Sequence, residues 1–236
     1  MNADGLKADP PSRLQSDPLL HDHPVAMRIA LGLWVFSALL FIAIAVPTLK
    51  DAVQVVDDQV HRWVVSIEWG PAVTASQFLD LVGSAWVVWP TMAGVAGWLA
   101  WSRRWEAFST WVVAMVVSQL MIGPVKGLYM RPRPTMSLVE TSSWSFPSGH
   151  AVVGGAIAIA AVIVLVPAGP KRRNLEMLAI AFAVVMALSR VYLRAHWLSD
   201  AVAGVALGAA IAIGAAALAH RIDEHWHTRS DDSEPT

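Results

Sequence analysis

Cysteine is absent from this sequence of 236 residues. That absence excludes a disulfide framework, a thiolate metal site and a cysteine nucleophile. Charged side chains are also scarce, at 15% of residues, and their net charge is −1. Without a general basic field, nucleic acid is not expected as a partner. Hydrophobic residues make up 56% of the chain and the mean hydropathy is +0.50. The composition therefore predicts a membrane protein rather than a soluble globular one.

Long apolar runs predict an all-α fold, an integral membrane bundle of six transmembrane helices. Each run approaches the ~20 apolar residues that a bilayer core requires. The predicted spans are 29–49, 83–101, 107–125, 151–166, 175–193 and 197–220. We expect residues 29–220 to form one membrane domain. Residues 1–28 are predicted to be a disordered cytoplasmic tail, and residues 221–236 a polar cytoplasmic tail.

Between the first and second spans, apolar and polar residues follow a helical spacing. The apolar face contains Val53, Val56, Val60, Trp63, Val64 and Ile67, and the opposite face contains Gln54, Asp58, His61 and Arg62. This pattern predicts an interfacial amphipathic helix that lies along the membrane surface. We expect the charged residues in and beside it to form a solvated face: Lys50, Asp51, Asp57, Asp58 and Glu68.

Basic residues are distributed unequally over the predicted loops. Seven of them lie at the ends of the chain or in the loops after spans two and four: Arg28, Arg103, Arg104, Lys171, Arg172, Arg173 and Arg221. The positive-inside rule places these segments in the cytoplasm. The loops between spans three and four and between spans five and six then open on the extracytoplasmic face of the cell membrane.

The stretch Phe146-Pro-Ser-Gly-His150 directly precedes an apolar helix. Ser148 falls near the N-cap of that helix, and the free amides of its first turn follow. A helix N-terminus with a flexible glycine, Gly149, can bind an anion, and His150 adds a titratable proton beside it. An ordinary capped helix with a surface histidine is the alternative for these five residues alone.

The extracytoplasmic loops gather several cations around two histidines. The residues concerned are Lys126, Arg131, Arg133, Ser148, Gly149, His150, Arg190, Arg194, His196 and Asp200. Cations at a membrane surface are costly without an anionic partner, and arginine and lysine are suited to phosphoryl oxygens. His196 and Asp200 are four residues apart at the start of a helix, so the carboxylate can accept from one ring nitrogen. The other nitrogen of His196 is then free to attack.

Three motifs resemble the signature motifs of the type 2 phosphatidic acid phosphatase superfamily. They are Lys126-x6-Arg133-Pro134, Pro147-Ser148-Gly149-His150 and Ser189-Arg190-x5-His196-x3-Asp200. All three occur in the family's order and between the expected spans. The resemblance extends from about the first span to the sixth and leaves the two tails outside it.

The resemblance implies a role for each matching residue. Lys126, Arg133, Arg190, Ser148 and Gly149 would bind the phosphate. The reacting groups would be His196 as the nucleophile, Asp200 as the group that orients it, and His150 as the general acid. The resemblance implies no metal and no cofactor. The superfamily also resembles vanadium haloperoxidases at these motifs, and we expect vanadate to act as an inhibitor that mimics phosphate.

Other polar and aromatic residues receive structural interpretations. Arg131 and Arg194 fall outside the signature positions and are expected to anchor lipid headgroups, with a phosphate contact as the alternative. Gly204 and Gly208 allow close helix approach. Four histidines are expected to be plain solvated side chains: His61, His220, His225 and His227. Six tryptophans flank the spans and predict an interfacial belt: Trp63, Trp69, Trp101, Trp105, Trp144 and Trp197.

The sequence therefore predicts a metal-independent membrane phosphatase. Its partners would be a lipid phosphate substrate and membrane lipids, with a second copy of the chain as a further candidate. Phosphatidic acid, phosphatidylglycerol phosphate and polyprenyl pyrophosphate are all possible substrates, because the motifs recognise the phosphate group and not the rest of the lipid. A lipid phosphotransferase and a non-enzymatic phospholipid carrier are the alternative functions.

Overall fold

The computed structural model describes residues 23–231, and the side chains of residues 24–222. Within this range the chain forms eight α-helices and no strand, so the all-α prediction is confirmed. The helices are α1 His23–Ala45, α2 Pro47–Ser66, α3 Gly70–Val82, α4 Ala85–Trp101, α5 Trp105–Tyr129, α6 Gly149–Leu165, α7 Pro170–Tyr192 and α8 Leu198–Asp231. The prediction of a disordered tail falls largely on residues 1–22, which lie outside the described residues.

The predicted boundaries of the first span are both too late in the sequence. The helix α1 begins at His23, inside the predicted tail, and ends at Ala45. Val46 is extended and Pro47 opens α2, where the missing N–H of proline loses no hydrogen bond. The apolar run continues to Leu49 across this break, and hydropathy alone does not detect it.

A further helix, α3, lies where the sequence predicted no element. It is followed directly by α4, and the two helices are bent by 48° at the intervening residues Gly83 and Ser84. Together they form one broken apolar segment. The second predicted span corresponds to α4 only, so the segment that precedes the bend was missed.

In the described part of the chain, four helices are each long and apolar enough to cross a membrane: Pro24–Ala45, Trp105–Tyr129, Pro170–Tyr192 and Leu198–Ile222. The broken pair α3 and α4 raises this number to five. The remaining apolar helix, α6, has 17 residues. It is thus about 26 Å long, shorter than the ~30 Å hydrocarbon core. The chain is a multi-pass membrane protein, and the count of six spans stays a prediction.

The short helix α6 lies at the centre of the bundle, packed against α5, α7 and α8. Its approach to α8 depends on the predicted Gly204 and Gly208 pair. A Cβ atom on Gly208 would lie 2.1 Å from the carbonyl oxygen of Val152, and one on Gly204 would lie 2.8 Å from that of Ser148. Only glycine permits this separation of the two backbones, so the expected close approach is present.

The two ends of the bundle differ in chemistry. One end, where α6 finishes and α7 begins, contains a largely apolar cavity of about 660 Å³. Arg172 and Glu176 form an ion pair there, at 3.0 Å. The other end joins the last turns of α5 and α7 to the first turns of α6 and α8. This end contains every residue of the three signature motifs. The candidate active site therefore lies at this end of the bundle.

The inward face of α2 is more polar than the sequence predicted. Val60 and Val64 pack toward α7 and α8 as expected. Val56 and Trp63, predicted on the same apolar face, are instead 52% and 60% exposed. Asp57 takes their place and is fully buried, so its assignment to a solvated face is wrong. The reason is a buried arginine described below, which needs a carboxylate partner on this helix.

We expect Gly208→Ala to destabilise the bundle, because the new methyl group would collide with the backbone of α6. Overpacking of this kind costs about 1–3 kcal/mol, which thermal unfolding in detergent would reveal as a lower midpoint. Gly94→Ala in α4 is the matched control, since no other atom lies within 4 Å of its Cβ position. Equal midpoints for the two variants would contradict the proposed packing of α6 on α8.

Candidate active site

The imidazole of His196 lies between a carboxylate and a guanidinium. Its Nδ1 is 3.6 Å from Oδ2 of Asp200, and its Nε2 is 3.2 Å from Nη1 of Arg133. Arginine can only donate, so Nε2 must be the unprotonated ring nitrogen and Nδ1 must carry the proton. The separation of 3.6 Å is longer than a hydrogen bond, and such contacts often tighten only when a substrate binds. The lone pair of Nε2 faces the cations.

Burial keeps His196 neutral. The side chain is 3% exposed, and the loss of hydration lowers its pKa to about 4. The nearby Asp200 carboxylate opposes this shift, whereas the charges of Arg133 and Lys126 add to it. The neutral form therefore persists from neutral pH down to about pH 4. A neutral imidazole with one unprotonated ring nitrogen is the state that a nucleophile requires.

Backbone carbonyl groups of the loop after α5 hold two of the predicted cations. Lys126 donates to the carbonyl oxygen of Trp144 at 2.5 Å. Arg133 donates to the carbonyl oxygens of Ser143 at 2.6 Å and Ala195 at 2.5 Å. These neutral acceptors fix the positions of the two side chains and leave their charges unbalanced. A cavity of about 480 Å³ lies beside Arg133 and is lined by residues 131–133 and 141–144.

The N-terminus of α6 adds hydrogen-bond donors that carry no side-chain charge. Ser148 is the N-cap residue, as predicted, but its hydroxyl group makes no capping bond. That hydroxyl is fully buried and has no hydrogen-bond partner among the described residues. The backbone N–H of Ser148 donates to the carbonyl oxygen of Asp200, at 3.1 Å, and so ties α6 to α8. Gly149 follows in the first turn, whose amide groups point out of the helix.

His150 and Arg190 both contact a residue that the sequence analysis missed. Oδ1 of Asp80, in α3, accepts a hydrogen bond from Nη1 of Arg190. The same oxygen is 3.1 Å from Nε2 of His150, and so is the backbone oxygen of Asp80. Both neighbours of this ring nitrogen are acceptors, so Nε2 of His150 carries a proton. Asp80 is the only charge in the apolar run from Phe78 to Val82, and that isolation was the available sequence signal.

Arg131 is buried, which corrects its interpretation as a headgroup anchor. It donates to Oδ1 of Asp200 at 2.6 Å and to Oδ2 of Asp57 at 2.7 Å, and it is 1% exposed. Ser199 and Gln54 accept further bonds from the same guanidinium. The heptad-like spacing of Val53, Asp57, Val60 and Val64 placed Asp57 on the apolar face. That spacing could have identified the carboxylate as a buried partner.

Arg194 and His61 also differ from their expected states. Arg194 is 5% exposed and forms an ion pair with Glu68, so it is not an exposed anchor. Glu68 itself is not a free solvated charge. The ring of His61 packs against Trp197 with a centroid distance of 5.7 Å, and its Nε2 is buried. These residues surround the site but do not join the cluster formed by the motifs.

We expect the ring of His196 to stay neutral when the pH is lowered to 5.5, because its pKa is held near 4. Nitrogen NMR of ¹⁵N-histidine-labelled protein in detergent would measure this, with the His196→Gln variant used to assign the signal. His61 provides an internal comparison, since burial and the nearby charge of Arg194 also lower its pKa. A titration midpoint of His196 near 6.5 would contradict the buried environment described above.

Comparison of the sequence with known proteins finds matches to a family and to one of its members. The sequence pattern of the PAP2 superfamily matches residues 107–224. Phosphatidylglycerophosphatase B of Bacillus subtilis (strain 168) is 26% identical over 176 residues, which cover 72% of this chain and 86% of that protein.

Two solved structures have a similar fold. The first is a transmembrane PAP2 type phosphatidylglycerolphosphate phosphatase from Bacillus subtilis, with a TM-score of 0.71 and 24% identity over 83% of this chain and 96% of that one. The second is LpxE of Aquifex aeolicus, with a TM-score of 0.53 and 19% identity over 69% and 93% of the two chains. The match to the family pattern includes all three signature motifs. The chain belongs to the PAP2 superfamily.

Proposed function

We propose that this protein hydrolyses a lipid phosphate monoester or pyrophosphate through a phosphohistidine at His196. The observation that carries the proposal is the position of that imidazole, with Asp200 on one ring nitrogen and Arg133 on the other. A neutral, oriented imidazole beside unbalanced cations is suited to attack on a bound phosphoryl group.

Phosphate binding is assigned to Arg190, which pairs with Asp80, and to groups that have no anionic partner among the described residues. Lys126 and Arg133 are held by neutral carbonyls, and the hydroxyl of Ser148 has no partner within the described part of the chain. Arg190 and the free amides at Gly149 complete the set. Together they can stabilise the charge that spreads over the equatorial oxygens of a transferring phosphoryl group.

The reaction is a double displacement. Nε2 of His196 attacks phosphorus while the bond to the leaving oxygen breaks, and His150 gives its Nε2 proton to that oxygen. His150 then accepts a proton from water, whose oxygen attacks phosphorus and breaks the bond to His196. The carboxylate of Asp200 stabilises the charge that the imidazole acquires during both steps.

We infer that the reaction needs no divalent cation. Among the described residues, no group of three His, Asp or Glu side chains could hold a metal ion. The two carboxylates at the site, Asp80 and Asp200, already contact arginines. Three cations beside engaged carboxylates are a poor magnesium site.

Phosphatidylglycerol phosphate is the first substrate to test, because the similar Bacillus subtilis protein is named as a phosphatidylglycerophosphatase. Phosphatidic acid and polyprenyl pyrophosphate complete the panel. We expect phosphate release from at least one of these lipids in detergent, with excess chelator present and with inhibition by vanadate. A newly phosphorylated lipid without free phosphate would instead indicate a phosphotransferase. Absence of turnover with all three lipids would favour a carrier.

The proposed roles of the two histidines can be distinguished by comparing substrates with different leaving groups. His196→Ala should form no phosphoenzyme with any substrate. His150→Ala should hydrolyse a lipid substrate about 10²–10⁴-fold more slowly, because the departing alkoxide must be protonated. With p-nitrophenyl phosphate, which needs no such proton, it should still phosphorylate His196 and accumulate an acid-labile phosphoenzyme. His220→Ala, at the far end of α8, is the matched control and should retain activity. Phosphoenzyme accumulation in His196→Ala would mean that the roles are reversed.

The site is proposed to face the extracytoplasmic side. Because the protein has no cysteine, one introduced thiol is unique in the chain. Ser142, in the loop beside Arg133, and Ser102, between α4 and α5, are both exposed. In intact cells an impermeant maleimide should label Ser142→Cys but not Ser102→Cys, which should react only after permeabilisation. The opposite labelling pattern would overturn the sidedness of the reaction.

A further inference from the structure

Asp80 is the one acidic residue that contacts both the proposed general acid and a phosphate-binding arginine in the described structure. It lies in the last turn of α3, three residues before the bend into α4. A single carboxylate oxygen, Oδ1, accepts from Arg190 and lies 3.1 Å from the protonated Nε2 of His150. A Cβ atom on Gly83 would lie 2.2 Å from the ring of His150. The ring is therefore packed tightly against this turn.

These two donors are the ones that the proposed reaction directs at the substrate. Arg190 is assigned to a phosphoryl oxygen, and Nε2 of His150 to the leaving oxygen. Carboxylates and phosphates are both anionic acceptors with the same preference for charged N–H donors. An anionic oxygen that receives both bonds therefore has the contacts of a substrate oxygen.

The repulsion between the three cations explains why an anionic side chain is needed beside them. Lys126, Arg133 and Arg190 are close enough to repel one another. Asp200 is at the same site, but Arg131 already pairs with its carboxylate. Arg190 is 3% exposed and would be costly to bury without a carboxylate. Asp80 meets that requirement and is itself 32% exposed, so it has solvent to move into.

We propose that Asp80 is an internal competitor for phosphate. It holds Arg190 and His150 in place while the site is empty and yields both donors when a phosphoryl group enters. The proposal rests on the phosphate-binding role proposed above for Arg190. It assigns to Asp80 a positioning role that opposes the binding of substrate and of the phosphate product.

The Asp80→Asn variant tests this idea through the direction of its effect. The amide keeps the size of the side chain and removes the competing charge. We expect inorganic phosphate to bind about two- to fivefold more tightly, since a partly exposed ion pair is worth up to about 1 kcal/mol and no longer has to be broken. Calorimetric titration at constant ionic strength would measure the dissociation constant without requiring turnover. Damage to the site would weaken binding, so tightening cannot arise from misfolding.

Three further variants sharpen the comparison. Asp80→Ser removes the same charge with a smaller group and should also tighten phosphate binding, which covers the case in which the amide is not tolerated. Asp80→Glu restores the charge and should bind phosphate like the original protein. Glu68→Gln removes a carboxylate from another arginine, Arg194, at the same end and should change nothing. This control excludes a general effect of net charge.

Unchanged or weaker phosphate binding in both uncharged variants would overturn the proposal. A different result would contradict the proposed function itself. In that case the unsubstituted protein would neither bind inorganic phosphate nor release it from any lipid of the panel. Normal binding and hydrolysis by the unsubstituted protein, with no tightening in the variants, would reject the role of Asp80 alone.

Discussion

The rest of the site depends on the two ion pairs that the buried guanidinium of Arg131 forms. It bridges Asp57 of α2 and Asp200 of α8, which are 143 residues apart in the sequence, and all three side chains are at most 1% exposed. A buried pair of this kind adds little net stability, but loss of one partner leaves an uncompensated charge and typically costs about 3–5 kcal/mol. The arrangement therefore selects one packing of α2 against α8. In that packing, Asp200 can face His196.

Every polar atom of the Asp200 carboxylate is used by this arrangement. Oδ1 accepts a hydrogen bond from Arg131, and Oδ2 accepts hydrogen bonds from the hydroxyl of Ser145 and the backbone N–H of Trp197. The carboxylate is consequently fixed before any substrate arrives, and only the imidazole of His196 has to adjust. The cations to which we assign phosphate binding are held differently, by neutral carbonyls or by the partly exposed Asp80. In our proposal, the ion pairs of Arg131 therefore stay intact during the reaction, whereas the pair of Arg190 with Asp80 is broken by the substrate.

Sequence analysis predicted the parts of the site that are encoded locally. The helix start at Ser148 and the four-residue spacing of His196 and Asp200 depend on neighbours in the chain, and both are found in the structure. Asp57 and Asp80 were missed because their arginine partners lie 74 and 110 residues away. Their positions in the sequence indicate a buried and an isolated carboxylate, but they do not identify the arginine with which each one pairs. The break at Pro47 was missed for a related reason, because apolar residues continue on both sides of it.

The exposed tryptophans of α4 indicate the level of the candidate active site in the membrane. Trp86 and Trp101, near the two ends of α4, are 89% and 90% exposed. A rise of 1.5 Å per residue separates them by about 22 Å along the helix. Exposed tryptophans favour the two membrane interfaces, so α4 marks the approximate limits of the apolar layer. His150, in the first turn of α6, packs against Gly83, three residues before Trp86. We therefore expect the proposed active site to lie at the level where a phospholipid carries its phosphate, which lets a substrate present that group while its acyl chains stay in the membrane.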